Sequence, residues 1–162
     1  GIKGTGVNQY AMMNHADAKS IGHMKSWEKF RIKDAGSNKV ALHNSNHQRF
    51  LRMSDSTFDT SGKKGVDQLP GGWTWERFQV VQAVAAMAPG RMVGLYVNDH
   101  YLQMTNSWHI NSYKCAVNQM QDHWASVQFE VAEAGMGQIA LYNPHFKSFV
   151  SMTNSDIKRT TK

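Results

Sequence analysis

Large apolar residues alternate with polar ones in short runs along this chain, and similar sets of runs occur three times. In the first set, residues 30–32, 40–42 and 50–53 have the period of two that is typical of half-buried β-strands, and residues 57–60 follow as a fourth run. Residues 34–38 and 43–47, which lie between these runs, contain the Gly, Asn, Asp and Ser of tight turns. The pattern therefore predicts about four short strands in each set.

The sequence of the first set recurs, with substitutions, in the two later sets. The tetrapeptide Trp-Glu-Lys-Phe that ends at Phe30 corresponds to Trp-Glu-Arg-Phe ending at Phe78, and Phe129 has the same place in the third set. From this phenylalanine to the leucine of the next strand is 12 residues in the first and third sets and 17 in the second, which has an insertion around residues 83–91. We place the repeats at about residues 27–72, 73–123 and 124–152, followed by a C-terminal tail at 153–162.

A fourth aromatic-x-x-Met pattern precedes the three repeats. It lies at residues 10–13 and returns at 50–53, 101–104 and 149–152. Two arrangements are compatible with the extra copy: the first unit is shortened and carries a closing strand, or residues 1–15 form an arm and residues 149–152 close the ring. We expect residues 1–9, which are rich in Gly and polar groups, to form an N-terminal arm.

Three units of roughly 50 residues, with about twelve short strands in total, predict a closed all-β architecture. An open stack of three units would leave exposed strand edges, which a ring of three four-stranded units avoids. We therefore expect a β-trefoil. It should span residues 1–162 as a single domain, because a chain of this length is too short for two comfortable cores.

Several repeated residues are best explained by packing. We expect Met53, Met104 and Met152 to fill the core where the units converge, because a thioether adapts to irregular gaps. An apolar layer is predicted to contain Trp27, Trp75, Phe30, Phe78 and Phe129. Glu28 and Glu76 recur at one position, where each is expected to pair with a neighbouring Arg or a strand-end amide and not to form a catalytic pair.

Composition is typical of a globular protein. Hydrophobic residues make up 41% of the chain and charged residues 19%. The longest weakly polar stretch, residues 80–88, is about half the length of a membrane-spanning helix, so no transmembrane segment is predicted. Cys115 is the single cysteine, which excludes an intramolecular disulfide. Because the sequence starts at Gly1, we expect either that a leader was removed or that the chain is a fragment.

The net charge of +6 is concentrated in the first part of the chain. Residues 1–64 contain eleven Lys and Arg against five acidic residues, whereas residues 65–162 contain seven of each. This asymmetry favours an acidic partner surface, whether protein, anionic lipid or nucleic acid; the alternative is a solvated basic face without a specific partner. The inserted loop either presents an apolar tip to a partner or packs on its own domain. The candidate partner-binding residues are Lys19, Lys25, Lys63, Lys64, Met87, Pro89 and Arg91.

Catalytic motifs are missing from the sequence. It has no G-x-S-x-G elbow, P-loop or HExxH helix, and nothing near Cys115 would activate the thiol. His43 and His47 flank one predicted turn, but no Cys or carboxylate nearby completes a metal-ligand set. We expect no enzymatic activity, no cofactor and no metal. Protonation of the eight histidines near pH 6 would raise the positive charge and tune an electrostatic contact.

The repeat resembles that of the fascin-like β-trefoil family, of which fascin and hisactophilin are members. In that family an F-x-V strand, a V-A-L strand and an (F/Y)-L strand recur, and residues 30–32, 40–42 and 50–51 match them here. The resemblance covers about residues 27–152. The longer wording, with L-P-x-x-W-T-W-E-R-F at residues 69–78, also resembles a repeat found in tandem arrays in certain photosynthetic protists.

Three binding functions follow from these patterns and resemblances. The favoured one is a non-catalytic protein–protein interaction module, an accessory or scaffold subunit docked on a larger assembly; the protist resemblance implies a plastid, photosynthetic complex. The resemblance to fascin implies actin binding or bundling as an alternative, which would require dimerisation. Carbohydrate binding is least favoured, because the Q-x-W signature of ricin-type trefoils is absent. The expected compartment is intracellular: a plastid after leader removal, or the cytoplasm.

Overall fold

A computed structural model describes residues 25–54, 57–82, 92–119 and 124–160. Within these ranges the chain forms twelve strands and three short 3₁₀ turns, the turns at Ser26–Glu28, Val117–Gln119 and Ala125–Val127. The strands are β1 (Phe30–Gly36), β2 (Lys39–Asn44), β3 (Arg49–Ser54), β4 (Thr57–Thr60), β5 (Phe78–Gln82), β6 (Met92–Val97), β7 (His100–Gln103), β8 (Asn111–Lys114), β9 (Phe129–Gly135), β10 (Gln138–Asn143), β11 (Ser148–Met152) and β12 (Ile157–Thr160).

Strand pairing closes the sheet into a barrel. Six strands pair antiparallel in a ring, in the order β1, β2, β5, β6, β9, β10 and back to β1. The other six form the hairpins β3–β4, β7–β8 and β11–β12, each attached to the barrel through its first strand. Four strands thus recur three times around the ring, so the fold is a β-trefoil. The predicted closed all-β architecture of about twelve strands is confirmed.

The three seams between units use the same residue positions. At each seam the phenylalanine that begins a unit lies opposite an aliphatic residue of the neighbouring unit. The opposed pairs are Phe30 with Ile139, Phe78 with Val40, and Phe129 with Val93. Because the same pair closes every seam, the last unit meets the first as tightly as consecutive units meet each other.

Two three-fold sets of side chains fill the core. All six side chains have 0% exposed surface, and they belong to one continuous apolar cluster. The sets are Phe30, Phe78 and Phe129 at the starts of barrel strands, and Met53, Met104 and Met152 on the hairpin side. The predicted burial of these phenylalanines and methionines is confirmed.

The hairpins contact one another beside the barrel. The backbone N–H of Ile110 donates to the carbonyl of Ile157 at 3.0 Å, which joins the second hairpin to the third. The hydroxyl of Thr60 donates to the carbonyl of Asn154 at 3.2 Å, which joins the first hairpin to the third. These contacts tie the three units together a second time, away from the barrel seams.

One asparagine in each of two units fixes the chain where it enters the barrel. Asn44 donates from Nδ2 to the carbonyls of Ser26 and Lys29, at 3.1 and 3.2 Å, and its Oδ1 accepts the N–H of His47 at 3.0 Å. In the third unit Asn143 makes the same three contacts, with Ala125, Gln128 and Phe146. One amide therefore satisfies three backbone groups that the adjoining ladders leave unpaired.

The turns between the paired barrel strands use the expected residues. Gly36 and Gly135 have φ of +81° and +85° at equivalent places, and Asn38 has φ of +61°. Such values are rare for residues with a large Cβ substituent, whereas Gly and Asn adopt them readily. The prediction that Gly and Asn supply positive φ between β1 and β2 is confirmed.

Two predictions about local structure are wrong. Trp27 and Trp75 do not join the apolar layer, since 43% and 37% of their surfaces are exposed. Each lies in a tight turn before its strand, where the period of two does not apply, and the next residue, Glu28 or Glu76, points inward with 2% or 3% exposed. Residues 43–47 are not entirely a turn either, because β2 continues through His43, which pairs with Phe50.

Residues 149–152 form most of β11 in the third hairpin, while the ring itself closes between β10 and β1. The predicted arm at residues 1–9, the pattern at 10–13 and the insertion at 83–91 lie outside the described residues.

Replacing Phe78 with Ala tests the packing of the seams. The ring of Phe78 is fully buried and stacks on that of Phe58 at 5.9 Å between centroids. Phe78→Ala should lower the free energy of unfolding by about 3–5 kcal/mol, because it leaves a cavity that the barrel cannot close. Urea unfolding measures the change. Phe146→Ala, at a partly buried phenylalanine, is the control and should cost clearly less; equal losses would contradict the packing described here.

Candidate binding surfaces

Three of the seven predicted partner-binding residues are described, and all three are exposed. They are Lys25, Lys63 and Lys64. The other four lie outside the described residues: Lys19, Met87, Pro89 and Arg91. The structure therefore describes three of the five basic residues of the predicted surface and neither of its apolar residues, and their role in partner binding stays a prediction.

The segments that carry these lysines are anchored at the end of β2. Asn44 holds the carbonyl of Ser26, next to Lys25, and the Nε2 of His43 donates to the carbonyl of Lys64 at 2.8 Å. Neighbouring residues of a strand face opposite sides, so the two segments lie on either side of β2. The lysines are presented by backbone that hydrogen bonds fix in place.

Other basic residues of the first unit have internal partners. The ammonium group of Lys33 lies 3.1 Å from Asp67, Arg52 forms two hydrogen bonds with Asp59, and Arg49 donates to the carbonyl of Ser61 at 2.7 Å. Within the described ranges, no carboxylate lies within ion-pair distance of Lys25, Lys63 or Lys64. Fewer basic side chains of the first unit are therefore available to a partner than the count of Lys and Arg suggests.

His43 occupies a place that tyrosine takes in the other two units. In each unit the ring packs against an aromatic side chain at the second position of the next strand. The ring pairs are His43 with Phe50 at 4.8 Å, Tyr96 with Tyr101 at 4.8 Å, and Tyr142 with Phe149 at 4.9 Å between centroids. His43 is therefore a packing residue of the trefoil.

The environment of His43 favours its neutral form. Burial lowers the pKa of the ring, and the charge of Arg31 lowers it further, while the Lys64 carbonyl and Asp67 act in the opposite direction. Because a carbonyl only accepts, Nε2 carries the proton, and the buried Nδ1 has no hydrogen-bond partner among the described residues. His47 is directed elsewhere, with its Nδ1 3.0 Å from the Asn154 side chain.

A pocket lies at the seam between the first and second units. We call it the first seam pocket; its volume is about 390 Å³, and it is lined by Arg52, Gly72, Trp73, Thr74, Trp75 and Glu76. The Arg52 guanidinium is held by the two Asp59 oxygens at 3.0 and 3.1 Å. Burial raises the pKa of the Glu76 carboxyl, while a hydrogen bond with its own backbone amide and the charge of Arg52 oppose this shift. The pocket combines exposed indole surface with a paired charge and a buried acid.

Arg77 fixes the chain that forms this pocket. Its guanidinium donates to the carbonyls of Trp73 at 2.8 Å, Pro70 at 2.7 Å and Ala35 at 2.6 Å. The first two contacts hold the turn that carries the pocket tryptophans, and the third ties that turn to β1. A planar guanidinium makes such a fork, which a lysine ammonium group cannot reproduce.

The next seam repeats this pocket with different side chains. The second seam pocket has a volume of about 150 Å³ and is lined by Gln103, Tyr113, Trp124, Ser126 and Val127. The backbone confirms the equivalence: the N–H of Met53 donates to the carbonyl of Trp75 at 3.1 Å, and that of Met104 donates to Ser126 at 2.9 Å. Gln103 donates to the Ser126 hydroxyl at 3.2 Å, and the ring of Tyr113 meets that of Trp124 edge-on at 5.2 Å.

The third seam has a lysine where the other two have tryptophan. Lys25 lies five residues before Phe30, the same spacing that separates Trp73 from Phe78 and Trp124 from Phe129. Glu28 caps the turn there, accepting the N–H of Lys25 at 3.0 Å. The partner of Glu28 is thus a backbone amide of the turn, and not the strand-end amide or Arg that was predicted.

The barrel interior offers no space for a ligand among the described residues. The gap on its axis has a volume of about 20 Å³, enough for no more than one water molecule. Its walls are entirely aliphatic, three residues from each unit: Ile32, Val40, Leu42, Val80, Val93, Leu95, Val131, Ile139 and Leu141. The barrel is a packed core.

Two further potentially reactive groups, the Tyr101 hydroxyl and the Cys115 thiol, have raised pKa values. Burial raises the pKa of Tyr101 to about 12, and it also raises the pKa of the Cys115 thiol. The described residues contain no group of three or more His, Cys, Asp or Glu side chains arranged to hold a metal ion. Nor does any helix in those ranges have the length and apolar character of a membrane span.

Comparison with known proteins adds little beyond the fold. No family model matches the chain, and no curated protein matches it. Among solved structures, the chain is similar to a designed 3-fold symmetric protein, ThreeFoil, with a TM-score of 0.47 and 14% identity over 83% of this chain and 90% of that one. The assignment as a β-trefoil rests on the strand pairing. The resemblance to the fascin-like family stays a prediction.

The seam pockets were not predicted from the sequence. The Trp-Thr-Trp sequence at residues 73–75 opens the second repeat, and of its two indoles only that of Trp75 was predicted to lie in the apolar layer. The sequence does contain a signal for the two pocket tryptophans. Trp73 and Trp124 both stand five residues before a buried phenylalanine, outside the alternating positions of the strand that follows. Arg52 and Gln103 gave no such signal.

His43→Tyr tests the role of His43. Its lowered pKa means that the unfolded chain binds a proton first as the pH falls below about 6.5, so stability is lost from there downward to the folded pKa. The variant carries the residue of the other two units and should lose less stability on acidification, by up to about 1.4 kcal/mol per pH unit. Urea unfolding at about pH 7.5 and about pH 5.5 measures this; identical pH dependence in both proteins would contradict the assignment.

Proposed function

We propose that this chain is a non-catalytic protein–protein interaction module. It docks through the basic surface around the end of β2 on a partner with an acidic surface, as an accessory or scaffold subunit of a larger assembly. The observation that carries this proposal is the placement of Lys25, Lys63 and Lys64, which are exposed on segments that Asn44 and His43 anchor by hydrogen bonds.

Fixed backbone beneath exposed charges favours binding. A surface that is already ordered loses less conformational entropy when a partner docks, so more of the interaction energy appears as affinity. Opposite charges across such a surface also speed association and select the orientation of the partner. Contacts of this kind are screened by salt, because the Debye length is about 10 Å at 0.1 M ionic strength.

The state of the reactive groups supports a non-catalytic role. A catalytic nucleophile or base needs a pKa close to the working pH, and such sites usually shift pKa values in that direction. Burial instead moves the pKa values of Tyr101 and Cys115 upward, which keeps both groups protonated. The Glu76 carboxyl lies beside the Arg52–Asp59 pair, and no His, Cys or Lys lines its pocket.

The identity of the assembly is supported by sequence resemblance alone. The likeness to a repeat of photosynthetic protists favours a complex of the plastid, and the likeness to fascin favours actin filaments. The two partners differ in a way that one fractionation resolves, because filaments sediment and a membrane-bound photosynthetic complex requires detergent for release.

The size at which the native protein migrates tests the proposal. In a gentle extract fractionated at low salt, the protein should run within a large assembly, and high salt should release it as a species near the mass of the free chain. Migration near that mass at both salt concentrations would contradict docking. Cosedimentation with filaments would instead support actin as the partner.

Charge reversal then locates the surface. The double variant Lys63→Glu and Lys64→Glu should lose at least tenfold in affinity for the purified partner, since it replaces attraction with repulsion at the contact. The matched control reverses Lys114 and Lys147, which are exposed on the second and third units. Equal loss in both variants would show that net charge, and not the surface at the end of β2, determines binding.

A further inference from the structure

We propose that the two seam pockets are carbohydrate-binding sites, each for a neutral hexopyranose unit. This inference is independent of the docking function, because the pockets lie at Trp73 and Trp124 and share no lining residue with the basic surface. It rests on two observations: both pockets contain an indole and a planar hydrogen-bonding side chain, and only the first contains charged groups.

Both pockets combine an indole with a planar hydrogen-bonding side chain. Trp73 and Trp124 stand at the same position of their units, and Arg52 and Gln103 each immediately precede a buried core methionine. A pyranose ring has a face of C–H groups that packs on an aromatic surface, while its hydroxyls need donors and acceptors around the edge. Arg52 and Gln103 supply such donors, and Thr74 and Ser126 add a hydroxyl to each pocket.

Charge is the property that the pockets do not share. The first contains Arg52, held by Asp59, and the buried Glu76. The second has Gln103 and Val127 at the corresponding positions, and no acid or base lines it. A cationic or anionic ligand would find its counter-charge in only one of the two. A neutral polyhydroxylated ligand needs only the indole and the hydrogen-bonding side chains that both pockets contain.

The first seam pocket is the stronger site. Its volume of about 390 Å³ lies within the usual range of ligand pockets, roughly 300–1,000 Å³. The Arg52–Asp59 pair fixes the orientation of the guanidinium, and the three contacts of Arg77 fix the turn that bears Trp73. Arg77 is thus a positioning residue. The second pocket, about 150 Å³, has room for one ring and little more.

The third seam supplies a comparison within the same molecule. There Lys25 replaces the tryptophan and Ser151 replaces Arg52 and Gln103, so the stacking surface and the planar donor are both lost. The proposal therefore assigns two sugar sites to this trefoil and none to the third seam.

The test uses the folded chain and three neutral probes: methyl β-D-galactopyranoside, methyl β-D-glucopyranoside and methyl α-D-mannopyranoside, each at millimolar concentration. Saturation-transfer NMR and tryptophan fluorescence should detect binding of at least one of them. Trp73→Ala should weaken that binding at least tenfold, and the double variant with Trp124→Ala should abolish it. The control is Trp108→Ala, since this indole is 59% exposed and lines neither pocket.

A fourth probe, tetramethylammonium, separates a sugar site from a cation site, because indoles beside an acid also attract cations. Glu76→Gln replaces the acid of the first pocket with a neutral amide of the same shape; it should weaken the binding of a neutral glycoside less than that of tetramethylammonium. Binding of tetramethylammonium that Trp73→Ala and Glu76→Gln both abolish, without glycoside binding, would overturn the proposal. So would failure of all three glycosides to bind the wild-type chain, or equal weakening by Trp108→Ala.

Circular dichroism and the thermal midpoint establish that the variants are folded. If Trp73→Ala loses the trefoil spectrum, Trp75→Ala serves in its place, because that indole is 37% exposed and lines the same pocket. A folded Trp75→Ala protein that binds the glycosides as tightly as the wild type would count against the first seam pocket.

Discussion

Closure of the barrel between its first and last strands is the constraint on which the rest of the structure depends. At that seam Phe30 lies opposite Ile139, the same kind of pair that joins the consecutive units. Without this pairing β1 and β10 would be exposed edges, and the apolar side chains behind them would meet water. The closed ring lets three marginal four-stranded units share one core, to which each contributes a phenylalanine and a methionine.

Differences between the units, and not the repeat itself, create the surfaces that we propose as binding sites. The ring requires the residues at the seams and in the core, and these are nearly the same in all three units. Positions just outside the core are free to vary, so one seam has Trp73 with a charged pair, the next has Trp124 with Gln103, and the third has Lys25. The basic surface at the end of β2 arises in the same way, on segments held by Asn44 and His43.

Strand periodicity predicted the fold because every repeated strand is constrained by burial. It placed Phe30, Phe78 and Phe129 in the core, where the structure has them. The same reasoning failed for Trp27 and Trp75, since alternation has no meaning in the turns that precede a strand. The seam pockets were not predicted, because they join side chains from two units, such as Arg52 and Trp73, whose proximity depends on the pairing of β2 with β5. The packing role of His43 was not predicted, because residues 43–47 were assigned to a turn and histidine type alone does not reveal that this position corresponds to Tyr96 and Tyr142 in the other units.

Amide hydrogen exchange, followed residue by residue in the intact chain, tests ring closure most directly. If the three seams are equivalent, the paired amides of β1 and β10 should exchange as slowly as those of the seams between β2 and β5 and between β6 and β9, all opening only in global unfolding. Fast exchange confined to β1 and β10, with protection elsewhere, would contradict a closed barrel.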